Sequence, residues 1–140
     1  MAIHFFEEDA VSNLKKKNDT KRWIKETILN EGKTLGTLNY VFCSDDYLHK
    51  MNVEYLQHDT LTDIITFDQS EIENKIEGDI FISVDRVKEN AKKFNSDYID
   101  ELNRVMIHGA LHLIGFKDKK KAEQDLMRSK EDYYLSTRNL

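Results

Sequence analysis

Up to Ser83 the chain contains segments whose apolar residues alternate with polar ones; beyond it they recur only at helical spacing. A period of two turns one face of a strand to a core, and a spacing of three to four does the same for a helix. A chain that makes this switch must build its sheet early and cover it with helices from its last third. Leu38, Tyr40 and Phe42 alternate within residues 35–44, which predicts a strand there. Residues 64–67 and 80–83 are two further β-rich pieces, and residues 1–6 read as a short first strand. The acidic, Gly-containing stretch 68–78 predicts a hairpin connection, longer than the usual two to five residues or so.

Helical spacing appears first in residues 19–31, where Trp23, Ile24, Ile28 and Leu29 share a side and Gly32 follows. Ser44 or Asp45 can cap a second helix through residue 56, with Leu48, Met51 and Tyr55 on one face. Residues 85–94 predict a third, with Val87, Ala91 and Phe94 inward. Ser96 or Asp97 then caps an apolar helix through residue 114, ended by Gly115, and a last helix runs from residue 119 to the C-terminus. The expected fold is α/β or α+β, with a small mixed β-sheet packed with helices. The 140 residues contain no Pro, no repeat and no Gly/Ser-rich linker, so residues 1–140 are expected to form one domain.

The net charge of −5 argues against a broad nucleic-acid-binding face, because neutralising phosphates takes clustered cations. Local basic runs do occur, at Lys15-Lys16-Lys17, Lys21-Arg22, Lys92-Lys93 and from Lys117 to Lys121, and they read first as solvated helix ends. No apolar run approaches the roughly 18–20 residues of a membrane span. The first residues lack the basic and apolar segments of a signal peptide, and Cys43 has no partner for an internal disulfide. The expected location is the cytoplasm.

The segment with chemistry in it is His108-Gly109-Ala110-Leu111-His112-Leu113-Ile114-Gly115-Phe116-Lys117-Asp118. On a helix, His108 and His112 lie one turn apart on one face and can bind one cation together. Gly115 is the natural stop, after which the chain can double back and bring Asp118 to the same ion. Two imidazoles and a carboxylate suit a catalytic divalent metal, zinc being the expected one, with a further position open to water. Each residue has an ordinary alternative. The histidines could be hydrogen-bonded core residues, Asp118 could cap the last helix, and Gly109 alone resists a bland reading because glycine inside a helix costs about 1 kcal/mol relative to alanine. Arg104, one turn before His108, could contact phosphate or simply pair with Glu101 or Asp100. In the His-Glu-x-x-His peptidases the residue after the first His is the general base; Gly109 offers none, which counts against a metalloprotease.

The run from His108 to Phe116 resembles the signature of the YbeY family of bacterial single-domain endoribonucleases and rRNA maturation factors. Asn52 to Tyr55, Thr62-Asp63-Ile64-Ile65-Thr66-Phe67 and Gly78-Asp79-Ile80-Phe81-Ile82 resemble its other motifs, in the same order. The resemblance implies metal-dependent cleavage of single-stranded RNA, serving maturation of small-subunit (16S) rRNA and ribosome quality control. Two departures stand out. The family's third ligand is usually His, where this chain has Asp118, and an Arg after the first motif is replaced by Leu56. His58 is a nearby substitute for that cation. Arg104, Lys117, Lys119 and Lys120 are the candidate substrate-binding residues, and no general base is assigned. The competing readings are a metalloprotease and a ribosome-associated factor whose metal is structural and non-catalytic. Cys43, Met51, Met106 and Met127 read as core, and Tyr133 and Tyr134 as packing onto it.

Overall fold

The alternating segments meet in one sheet. The structure, a computed structural model, describes residues 2–57 and 62–138. In it β2 (Thr34–Cys43) runs between β1 (Ala2–Glu7) and β4 (Lys75–Ser83), parallel to both, and β3 (Ile64–Asp68) closes the other edge antiparallel to β4. The order is β1-β2-β4-β3. Register aligns Tyr40 with Ile80 and Phe42 with Ile82. Period-two alternation therefore sends Leu38, Tyr40, Phe42, Ile80 and Ile82 to one face, where all are fully buried.

Helices cover that face. They are α1 (Lys17–Asn30), α4 (Tyr98–Ile114) and α5 (Lys121–Ser136), with Ile24, Ile28, Leu102, Met106, Ile107 and Leu111 filling the space above the sheet. Two buried polar groups lock the layers. The Tyr40 hydroxyl donates to the carbonyl of Met106, and Trp23 Nε1 donates to the carbonyl of Tyr134. The opposite face carries a smaller cluster under α2 (Asp45–Leu56), made by Cys43, Leu48 and Ile65 with Tyr47, Met51, Phe67 and Phe81 against it. The helix α3 (Val84–Lys93) leaves β4 directly, capped by Ser83, whose hydroxyl accepts from the Arg86 amide. Among the described residues this is an α+β arrangement of four strands and five helices, the class read from the sequence.

Several expected details shift. The hairpin connection shortens to residues 69–74, because β3 runs to Asp68 and β4 already begins at Lys75, where its first residues pair with Thr34 and Leu35 of β2. The first helix begins at Lys17 rather than at residue 19, and the last at Lys121 rather than at 119. Leu29 faces solvent, one residue round from the buried Ile28. Phe94 is not inward: α3 ends at Lys93, so Phe94 leaves the stripe of Val87 and Ala91 and is 60% exposed. Tyr55 is exposed at the edge of α2, its ring edge-on to Phe67, and Met51 is only half-buried. Tyr134 is core, as expected, whereas Tyr133 is exposed. His58 lies outside the described residues.

Candidate metal centre

The site grows from the last two turns of α4. Its seating depends on Gly109: a Cβ there would fall 2.9 Å from Ile64 Cδ1 and from Ile80 Cγ2. The glycine is thus explained by close packing of helix on sheet. The neighbouring positions His108 and His112 flank the contact, with ring centroids 4.7 Å apart.

Gly115 then ends the helix with φ 126°, a conformation that side-chain-bearing residues rarely adopt. Its amide and that of Phe116 both return to the carbonyl of Leu111, so the chain reverses within one turn. The reversal carries Asp118 back over the helix. Its Oδ2 lies 3.3 Å from His108 Nε2 and 3.2 Å from His112 Nε2. Asp118 does not cap α5. Glu123 does so, its Oε1 accepting from the amides of Lys119 and Lys120.

The ligand atoms of His108, His112 and Asp118 all lie within 4.8 Å of one another. Tetrahedral ligands about 2.0–2.1 Å from zinc stand roughly 3.3–3.4 Å from each other. The two separations between Asp118 and the imidazoles fit that spacing, so the donor set and its geometry suit a divalent ion. Among the described residues this cluster has three members, and structural zinc sites use four.

The three residues sit in a cleft of about 460 Å³. Thr62, Asp63, Ile64 and Thr66 form one wall, Asn90 and Phe94 the rim, and Glu101, Arg104 and Val105 of α4 with Arg128 and Glu131 of α5 the other. Burial raises the pKa of the Asp63 carboxyl, and the charges of Glu131 and Asp118 push the same way against an opposing pull from His108. Burial also raises the pKa of Glu101, although Arg104 opposes it. For His108, burial disfavours the charged ring, but the hydrogen bond to Glu131 and the nearby carboxylates outweigh it and raise the pKa.

The other candidates divide. Arg104 lines the cleft but is already committed: its two terminal nitrogens lie 2.9 Å from Glu131 Oε1 and 2.6 Å from Asp132 Oδ1. It pairs with neither Glu101 nor Asp100; Asp100 takes Arg138 instead. Lys117, Lys119 and Lys120 are exposed beside the third ligand and are not among the residues lining the cleft. Leu56, at the end of α2, is exposed and brings no cation.

Sequence reasoning missed Asp63, Arg128 and Glu131. Glu131 left a readable trace. Met127, Glu131 and Tyr134 share the buried stripe of α5, and a carboxylate on a core-facing stripe needs a partner. Nothing local in the sequence, however, says that the partner is His108, 23 residues earlier.

Known proteins agree with this architecture. The sequence model of the family described as Endoribonuclease YbeY matches residues 3–139. The protein named Endoribonuclease YbeY from Cytophaga hutchinsonii is 52% identical over 136 residues, covering 97% of this chain and 95% of the relative. Its namesake from Christiangramia forsetii is 52% identical over 131 residues, or 93% of this chain and 90% of the relative. The solution structure of TM1509 from Thermotoga maritima superposes with a TM-score of 0.69 at 28% identity, covering 96% of this chain and 87% of the other. The chain belongs to the Endoribonuclease YbeY family.

Proposed function

We propose that residues 1–140 act as one metal-dependent hydrolase domain, an endoribonuclease that cuts single-stranded RNA in maturation of 16S rRNA and in ribosome quality control. The carrying observation is the convergence of His108, His112 and Asp118 at the floor of an open, polar cleft in a member of this family. His108, His112 and Asp118 would hold the ion, zinc by the chemistry of the donor set. Once bound, a divalent ion supplies a Lewis acid beside the scissile phosphate and lowers the pKa of water.

The chain's own residues frame the rest. Asp63 and Glu101 offer carboxyls whose raised pKa brings them nearer to neutral pH, which suits proton exchange with the attacking or leaving oxygen. Arg128, exposed on the cleft wall with only a 4.0 Å approach to Asp132, can fork onto a phosphate where the family's Arg is replaced by Leu56. Lys117, Lys119 and Lys120 extend positive charge along the path the RNA strand would take out of the cleft. The site would work in the cytoplasm, on RNA of the small ribosomal subunit. No helix among the described residues is long and apolar enough to cross a membrane.

The test pairs the protein with its His112→Ala variant, prepared in parallel as a control for contaminating nuclease. Cleavage of single-stranded RNA should be abolished in the variant while its melting temperature stays near that of the metal-loaded parent. Equal cleavage by both preparations overturns the reading. A steep loss of stability in the variant would instead mark the metal as structural, since its binding is then part of the folding free energy.

A further inference from the structure

Glu131 is a carboxylate in the core stripe of α5, only 5% exposed, and both of its oxygens are spoken for. Oε1 accepts from Arg104 at 2.9 Å, and Oε2 lies 2.6 Å from Nδ1 of His108. Arg104 is held in turn by Asp132, at 2.6 Å, so the fork cannot swing away. An ionised carboxylate has only lone pairs to offer, so the hydrogen between it and the imidazole belongs to Nδ1. With the proton fixed there, the lone pair of Nε2 is aimed at His112 and Asp118, where the ion would sit.

We propose that Glu131 is the positioning residue of the metal centre, acting through His108. It fixes the imidazole's tautomer and ring angle for ligation, with Arg104 clamping the carboxylate. Arg104 on this account serves the site's geometry rather than touching RNA. The proposal rests on the three-ligand reading of His108, His112 and Asp118, and it does not depend on the substrate being RNA.

Three features separate this from an ordinary buried ion pair. The contact is made to the nitrogen that faces away from the cluster. Each oxygen of Glu131 has a different partner, which prevents rotation. Finally, the carboxylate comes from a different helix than the histidines, so its place is set by tertiary packing of α5 on α4 and not by the local turn. Carboxylate–histidine pairs of this kind orient metal ligands elsewhere, and losing one typically costs about 10–100-fold in metal affinity.

The experiment measures zinc affinity by competition with a chromophoric chelator, for the parent and three variants, with thermal melts to confirm folding. Glu131→Met keeps the side chain's length but removes the acceptor, and should bind zinc about 10–100-fold more weakly. Glu131→Gln, which can still present an oxygen to Nδ1–H, should recover most of that loss. Asp125→Asn, an exposed carboxylate of the same helix that pairs with Lys121 and touches neither Arg104 nor His108, should stay close to the parent. In parallel, nitrogen-15 spectra of the zinc-loaded parent should show a protected Nδ1–H on His108. Parent-like affinity in Glu131→Met overturns the proposal. So does a His108 Nδ1 without a proton in the loaded parent, a result that stands even if the Met variant fails to fold. A parent that binds no zinc takes down the ligand assignment beneath it, whereas a parent that binds zinc but cuts no RNA removes only the endoribonuclease reading.

Discussion

A carboxylate at position 118 changes the charge of the site as well as its shape. With two neutral imidazoles it leaves a bound dication one unit less positive than three imidazoles would, so the ion should be held firmly but polarise its fourth partner less. Asp118 is free to do this because Glu123 has taken over the capping of α5. Removing it as Asp118→Ala should lower zinc affinity by more than tenfold in chelator competition, whereas Asp118→His should retain the metal. An Ala variant with undiminished affinity would show that Asp118 is not a ligand. Asp63 makes a second residue-scale case. Its pKa is raised in the fold, chiefly by burial, so the protonated carboxyl is the form the fold favours. The stability this brings is present below the unfolded pKa, about 3.9, and is lost as pH rises through the folded value. Ionised Asp63 therefore weakens the metal-free protein at neutral pH. Asp63→Asn, with metal stripped by chelator, should melt higher than the parent at pH 7, and the gap should close as the pH falls toward 4.

At the scale of elements, the helix-terminating turn was legible and its surroundings were not. The spacing of His108, His112 and Gly115 forecast a helix that ends and doubles back, because those constraints are local. Phe94 was misplaced because its spacing from Val87 and Ala91 is right for a helix that ends one residue too soon. Glu131 and Arg104 meet through the packing of α5 on α4, which no window of sequence contains. Gly109 resists a bland explanation in the sequence, and the structure supplies a steric one: it lets α4 settle onto Ile64 and Ile80. A larger side chain there must lift the helix or push those two aside. Gly109→Val should cost about 1–3 kcal/mol through overpacking, measured by urea denaturation. It should also weaken zinc binding, since His108 and His112 ride on the displaced turns. Unchanged stability would mean that the sheet yields at no cost and that the close approach is incidental.

The whole molecule carries a net charge of −5 and yet is proposed to act on a polyanion. Charge must then be used locally, and the structure shows two ways of using it. Inside the cleft Arg104 is neutralised by Glu131 and Asp132, which leaves it little attraction for phosphate. Outside, Lys119 and Lys120 are exposed beside the third ligand, and only their backbone amides are engaged by Glu123. The two kinds of cation should therefore separate in a salt titration. Each phosphate neutralised by a single strand contributes about 0.7 to the slope of log affinity against log salt. Reversing both exposed lysines, Lys119→Glu with Lys120→Glu, should weaken binding of a single-stranded RNA and flatten that slope by about 1.4 if each makes one contact. Because neither residue is a ligand or lines the cleft, zinc affinity and melting temperature should barely move. Fluorescence anisotropy of a labelled oligonucleotide across a range of salt concentrations gives the slopes directly. A charge-reversed protein with the parent's slope would place the RNA on another surface and leave these lysines as ordinary solvated side chains.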